Sequence, residues 1–140
     1  MHRHIDFPSS SGKATIEALH WPYENPRGVV QLCHGMCEHI GRYDEFARFL
    51  NEHGFAVVGN NHLGHGASLI DGQFGYFGDD GAYNYLIEDL ELLRKKASAI
   101  LCLSNQKQYL SALTLYAGDS SEWMPIGYYD KQSYTLENVT

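Results

Sequence analysis

An apolar run that stops abruptly at a His-Gly pair constrains the fold of this chain more than any other feature. Five of the six residues from 28 to 33 are apolar or glycine, and His34 and Gly35 follow at once. Such a short run predicts a strand buried on both faces, as the inner strands of a parallel sheet are. Ligand-handling loops leave such sheets at the carboxyl ends of strands, so we expect the chemistry at His34, Gly35 and Met36.

A strand, a helix and a second strand follow one another around this run. Residues 42–53 predict a helix, because Phe46, Ala47 and Leu50 recur at three- and four-residue spacing and a glycine follows. Residues 55–59 form another short apolar run and predict a second buried strand. This βαβ pattern predicts two parallel neighbouring strands joined by a right-handed crossover.

The flanking segments extend this α/β pattern in both directions. Residues 14–21 alternate partly and predict a half-buried strand, whereas the glycine-rich residues 68–81 predict a long loop. Residues 82–98 predict the clearest helix. Its expected buried stripe is Leu86, Leu90, Leu93 and Ala97.

Beyond residue 98 the pattern weakens. Residues 99–103 and 110–116 each fit a short strand, and residues 118–140 show no convincing period. We therefore divide the chain into residues 1–98 and residues 99–140.

Charge and composition exclude several classes of protein. Seventeen acidic residues against ten basic residues give a net charge of −7, which disfavours a nucleic-acid partner. No run of about 18 apolar residues occurs, so we expect no transmembrane segment. The three cysteines (Cys33, Cys37 and Cys102) are typical of reduced thiols, so we expect a cytoplasmic protein. We also expect no cofactor.

Residues 5–98 resemble the α/β-hydrolase fold, specifically its lysophospholipase and monoacylglycerol-lipase branch, the serine aminopeptidase-like group. The matching words are residues 27–30 (Arg-Gly-Val-Val), 34–43 (His-Gly-Met-Cys-Glu-His-Ile-Gly-Arg-Tyr), 55–68, 75–78 and 88–90. The resemblance implies a three-layer α/β sandwich with a mostly parallel sheet, of which this chain holds the N-terminal part. It also implies that the chain is incomplete as a hydrolase domain.

The resemblance implies a role for each matching position. The backbone N–H of Met36 would donate to the oxyanion hole, and a second donor would follow the nucleophile. The family usually has an aspartate where this chain has Asn61. The resemblance implies a structural role for this residue, so we expect the change to affect the electrostatics of the turn rather than the chemistry. The other implied residues shape the two loops: His34, Gly35, Glu38, His39, Gly64, His65 and Gly66.

The nucleophile of the family is missing from the sequence. No Gly-x-Ser-x-Gly word occurs: Ser104 lacks both flanking glycines, and Ser120 is followed by Glu122 where the second glycine belongs. No histidine follows His65, so the Ser, Asp or Glu, His order of the triad cannot be completed. We find no nucleophile and no triad. We expect Ser120 to lie in a surface turn rather than to act in catalysis.

Two further hypotheses place a functional site at histidine or cysteine side chains, and each has a purely structural role as its alternative. His62 and His65 invite a metal site, but they lie on a glycine-rich turn without a helical glutamate, so we expect no metal. Cys33 and Cys37 have histidines nearby, yet we expect Cys33 to point into the sheet core and both to be packing thiols.

The sequence therefore predicts a serine-hydrolase family member that acts on lipid esters such as monoacylglycerol or lysophospholipid. As it stands, the chain is expected to be a truncated form that lacks the nucleophile. The alternative is a non-catalytic, truncated α/β module that self-associates or pairs with another chain through an exposed sheet edge.

Overall fold

The computed structural model of the chain describes residues 1–119, and in its last helix the side chains of residues 103–105, 107–109 and 112–119 fall outside the description. The chain divides into two compact units, Met1–Gln106 and Lys107–Thr140. The sheet and the site described below lie in the first unit.

The described strands are β1 (Arg3–His4), β2 (Phe7–Pro8), β3 (Thr15–Ile16), β4 (Ala18–Trp21), β5 (Val29–Leu32) and β6 (Ala56–Asn60). Four of them form the main sheet, in the spatial order β1-β4-β6-β5. The parallel pair that the βαβ pattern predicts is present: β5 and β6 run side by side from Val29 opposite Ala56 to Leu32 opposite Gly59. The pairs β1–β4 and β4–β6 are antiparallel, and β2 and β3 form a separate two-stranded sheet, so the described sheet is mixed.

The two parallel strands differ in burial. All five residues of β6 are buried, because this strand has a neighbour on each side. In β5, by contrast, only Leu32 is buried. The prediction that residues 28–33 are buried on both faces is therefore wrong for most of the strand, because β5 lies at the edge of the sheet within the described residues. An apolar run does not reveal whether its strand has one neighbour or two.

A 3₁₀ helix, Ile40–Tyr43, leads into helix α1, Asp44–Glu52. The predicted helix is confirmed, and two of the three residues on its predicted face, Ala47 and Leu50, pack on the core. Phe46 is 49% exposed, and the residues that pack on the core are Tyr43, Ala47 and Leu50. Their spacing of four and three residues is the true helical stripe.

Helix α2 runs from Ala82 to Asp119. The strands predicted at residues 99–103 and 110–116 are wrong, because the backbone is helical there. In the first unit the reason is visible in the packing. Leu93 and Ala97 are buried, and Ile100 packs against the same core, so the helical spacing continues past residue 98. Leu86 and Leu90 are half-buried.

The sheet separates two hydrophobic cores. Ala18 and Val58 belong to the core that contains Leu93 of α2, whereas Leu19 and Val57 belong to the core that contains α1. Because successive strand residues point to opposite faces, the two helices cover opposite sides of the sheet. The first unit thus has the layers of an α/β fold.

In the part of the chain that the structure describes, no helix combines the length and hydropathy needed to cross a bilayer.

Candidate functional site

His34 anchors the loop that follows β5. Its side chain is 4% exposed. Its Nε2 accepts the backbone N–H of His62 at 3.0 Å, so Nδ1 carries the proton and donates to the Gly35 carbonyl at 2.8 Å. His62 Nε2 lies 3.2 Å from the His34 carbonyl, to which it can donate. The two histidines therefore connect the loop after β5 to the turn after β6.

Both histidines of this pair are held in the neutral form. Burial lowers the pKa of His34 and of His62, and each imidazolium would also repel its neighbouring histidines. The neutral form is the one that the bonds need, because a protonated His34 Nε2 could no longer accept the His62 N–H. The His65 ring lies 5.1 Å from that of His34 and stacks on Phe77 at 5.6 Å.

Glu38 folds its carboxylate back over the same loop. One oxygen accepts the Tyr43 hydroxyl at 2.8 Å and the Gly35 N–H at 3.2 Å. These two hydrogen bonds, in that order, lower the pKa of Glu38, with a smaller contribution from Arg42 at 3.9 Å. The loop is thus held from inside by an ionised side chain.

Met36 lies at the exposed tip of this loop. Its side chain is 78% exposed, and its backbone N–H donates no hydrogen bond to any residue in the described range 1–119. Cys37 follows with φ of +62°, a backbone conformation that bends the chain sharply. His39 is exposed, and its carbonyl accepts the Arg42 N–H at 3.1 Å. A free N–H donor is therefore present at the carboxyl end of β5.

The turn after β6 depends on two glycines with positive φ. Gly64 has φ of +74°, and a Cβ there would lie 2.8 Å from the backbone nitrogen of Tyr76. Gly66 has φ of +53°, and a Cβ there would collide with Nδ2 of Asn61. Only glycine fits either position without a shift of the surroundings. His65 lies between them, with Nδ1 3.0 Å from the Leu63 carbonyl.

Asn61 is buried at the start of this turn. Its Oδ1 accepts the Ile40 N–H at 2.7 Å, and its Nδ2 donates to the Glu17 carboxylate. The same Glu17 oxygen accepts the Ala67 N–H at 3.1 Å. The Asn61 amide therefore has a partner for each of its two ends. Sequence reasoning missed Glu17, because nothing in its own segment points to Asn61.

Asp89 is a second buried polar residue that sequence reasoning did not select. It is 1% exposed and accepts the Ser9 hydroxyl at 2.8 Å and the Ser10 N–H at 2.7 Å. These bonds fix α2 to the loop between β2 and β3. The signal was available, since an aspartate inside the otherwise apolar stripe of a helix calls for hydrogen-bond partners.

Cys33 does not point into the sheet core, so this prediction is wrong. The strand ends at Leu32, and Cys33 begins the loop as an exposed thiol with Sγ 3.4 Å from His62 Nε2. Cys37 is exposed as well. The partial burial of its sulfur raises the pKa of Cys33, which keeps the thiol protonated.

Of the two candidate serines, one lies in the described part of the backbone. Ser104 belongs to helix α2 rather than to a strand-to-helix turn, and Ser120 lies outside the described residues. Among the side chains that the structure describes, no three from His, Cys, Asp or Glu are grouped as metal ligands would be.

Comparison with known proteins connects this arrangement to one family. Residues 24–102, more than half of the chain, match the family described as serine aminopeptidase, S33. The monoacylglycerol lipase of Mycolicibacterium smegmatis is 39% identical over 62 residues, which are 44% of this chain and 22% of that protein. The monoglyceride lipase homolog of monkeypox virus is 41% identical over 54 residues, 38% of this chain and 20% of that protein.

A solved structure shows the same fold. The carboxyl esterase from Bacillus coagulans, determined in complex with glycerol, superposes with a TM-score of 0.62 and 37% identity over 77% of this chain and 33% of that chain. The chain thus spans about a fifth of the length of these two relatives and a third of this structure. On the family match and the shared fold, the chain belongs to the serine aminopeptidase S33 family and carries the N-terminal portion of an α/β-hydrolase similar to the monoacylglycerol lipases.

Proposed function

We propose that the chain carries the oxyanion-binding part of a serine hydrolase that acts on lipid esters such as monoacylglycerols or lysophospholipids, and that it lacks the nucleophile. One observation carries this proposal: the Met36 N–H is free on a loop that is fixed internally by His34 and Glu38. Relatives named monoacylglycerol lipase support the ester class.

The proposed role of the loop is electrostatic. During acyl transfer, negative charge develops on the carbonyl oxygen of the ester, and a fixed N–H stabilises that charge without having to reorganise. A single donor of this kind contributes about 3–4 kcal/mol to transition-state stabilisation. His34 and Glu38 would keep Met36 in place, and a serine outside the sequence printed here would be needed for attack.

A fluorophosphonate probe tests the missing nucleophile. We expect the 140-residue chain to show no stoichiometric serine labelling and no turnover of monoacylglycerol. A full-length monoacylglycerol lipase serves as the positive control, and the heat-denatured chain as the negative control. Stoichiometric labelling of Ser104 or Ser120 would overturn the proposal.

A non-catalytic role is the second candidate, and the edge of β5 favours it. Val29 and Val30 are only half-buried, and within the described residues β5 pairs on one side alone. Such an edge can take up another strand, in a second copy or in a different chain. Sedimentation that shows a monomer at every concentration, together with one sharp thermal transition, would contradict self-association.

We add two predictions to this proposal, one on the division of the chain and one on its location in the cell. We place the family-like part in residues 1–98 and treat residues 99–140 as a separate stretch, and the family match ends close by, at residue 102. We place the protein in the cytoplasm because its sparse, odd number of cysteines suits a reducing compartment.

A further inference from the structure

The loop from His34 to Ile40 is fastened at both ends to adjacent residues of the turn after β6. At its start, His34 Nε2 accepts the His62 N–H at 3.0 Å. At its end, the Ile40 N–H donates to Asn61 Oδ1 at 2.7 Å in a buried hydrogen bond. The position of Met36 between these two points therefore depends on how Asn61 and His62 are held.

The orientation of the Asn61 amide depends on a residue more than forty positions earlier in the chain. Nδ2 of Asn61 donates to Glu17, and this bond leaves Oδ1 directed at Ile40. A flipped amide would set two donors against each other at Ile40 and two acceptors against each other at Glu17. Glu17 is held in turn by its own backbone, whose carbonyl accepts the Asn61 N–H at 2.8 Å.

We propose that Glu17 is a positioning residue for the loop of residues 34–40 and acts through Asn61. The proposed function enters only in giving this loop its role as the oxyanion-binding loop. Glu17 touches no reacting atom. It selects the one amide orientation that holds the end of the loop, and Gly66 leaves the space in which Asn61 and Glu17 meet.

The same geometry predicts the effect of a carboxylate at position 61. An aspartate at position 61 would bring a second carboxylate against Glu17, and two carboxylates at hydrogen-bond distance cannot both be ionised without strong repulsion. Glu17 and Asn61 are thus a matched pair. A change in one calls for a change in the other.

Amide hydrogen exchange of the full chain tests the pair without any use of catalysis. The variants are Glu17→Ala, Asn61→Asp and the double variant Glu17→Gln with Asn61→Asp, and Glu24→Ala is the control at an exposed glutamate. The readout is the exchange rate of the Ile40 amide relative to that of Val58, which lies in the central strand. A role in general stability would raise both rates alike and leave their ratio unchanged.

We expect Glu17→Ala and Asn61→Asp each to raise this ratio about tenfold, because the buried Ile40 N–H loses a fixed acceptor. The Gly35 and Met36 amide resonances should shift in the same variants. The double variant should return the ratio to within about threefold of the unmodified chain. In that variant the glutamine amide at position 17 can donate to one oxygen of the aspartate at position 61, while the other oxygen accepts from Ile40.

Two results would overturn the proposal. One is a ratio that stays unchanged in Glu17→Ala. The other is a double variant that is no closer to the unmodified chain than Asn61→Asp alone. If Asn61→Asp does not fold, a folded double variant counts as rescue, and an unfolded one counts against the pair. None of these outcomes depends on the fluorophosphonate result, so the two proposals can fail separately.

Discussion

The loops that follow β5 and β6 begin alike, each at the end of one of two parallel neighbours, but they are built differently. The loop after β5 exposes Cys33, Met36 and Cys37 and leaves the Met36 N–H free. The turn after β6 buries Asn61 and turns through two glycines with positive φ. One loop presents a donor, whereas the other is closely packed.

The difference shows where the rigidity of the exposed loop comes from. His34 and Ile40 are both tied to the turn after β6, by bonds from His62 and Asn61. The proposed oxyanion-binding loop needs a fixed donor and an open surface at the same time, and the hydrogen bonds that Glu38 accepts provide only part of that fixing. Here the neighbouring turn supplies the support.

The largest expected effect tests the donor itself, in a chimera. Residues 24–102 would replace the corresponding segment of the Bacillus coagulans carboxyl esterase, which shares the fold. Met36→Pro removes the N–H, and the φ of Met36 is not positive, so proline is not excluded there. We expect kcat for a short-chain ester to fall about 10²–10³-fold.

Met36→Ala is the matched control for that chimera, because it shortens the side chain and keeps the N–H. Its kcat should stay within about threefold of the parent chimera, as expected for an exposed side chain. Equal losses in both variants would mean that the side chain, and not the amide, matters at this position.

The next effect tests the packed turn. We expect Gly64→Ala to lower the free energy of unfolding by about 2–3 kcal/mol, from the positive φ together with a clash against the Tyr76 backbone. Gly72→Ala is the control, since its φ of +73° is similar but nothing lies within 4 Å of the added Cβ. Urea titration should show the Gly72 variant losing only about 1 kcal/mol. Similar losses in the two variants would argue that the turn is not tightly packed.

The smallest effect tests the link between the two loops by pH. Burial holds the pKa of His34 and His62 below the ordinary value, so the unfolded chain takes up protons first as the pH falls. The stability that depends on these two histidines should be fully present above about pH 6.5. Below that pH, the free energy of unfolding should decline by up to about 1.4 kcal/mol per pH unit for each proton taken up. His34→Gln should flatten the decline between about pH 7.5 and 5.5.

The control for the pH experiment is His53→Gln, at an exposed histidine on the far end of α1. The decline should flatten more in His34→Gln than in this control, whatever the stability of either variant. An unchanged slope in His34→Gln would show that this histidine takes up its proton alike in the folded and unfolded chains.

The sequence predicts what depends on local pattern. The parallel pairing of β5 and β6 follows from the βαβ spacing and is confirmed. Burial of β5 does not follow, because the apolar run cannot show how many neighbours a strand has. Ala47 and Leu50 of the predicted face of α1 do pack on the core, whereas Phe46 is exposed and the half-buried Tyr43 completes the stripe.

The site residues also divide into those that a local motif predicts and those that only the folded chain brings together. His34 and Glu38 were selected from their motif, and the structure gives both of them hydrogen bonds within the loop. Glu17 could not have been found, because its contact with Asn61 spans 44 residues and exists only once β4 and β6 have paired. Long-range polar contacts of this kind carry no local periodicity.

The central position of β6 has a consequence for how the protein is made. Trp21 in β4 pairs opposite Val57, which follows it by 36 residues, and β5 has the same late partner. At ribosomal rates of about 5–20 residues per second, β4 therefore waits about 2–7 seconds for the strand that joins the sheet. During that interval the indole of Trp21 has no completed core to enter, so a large apolar side chain stays exposed to water until β6 emerges.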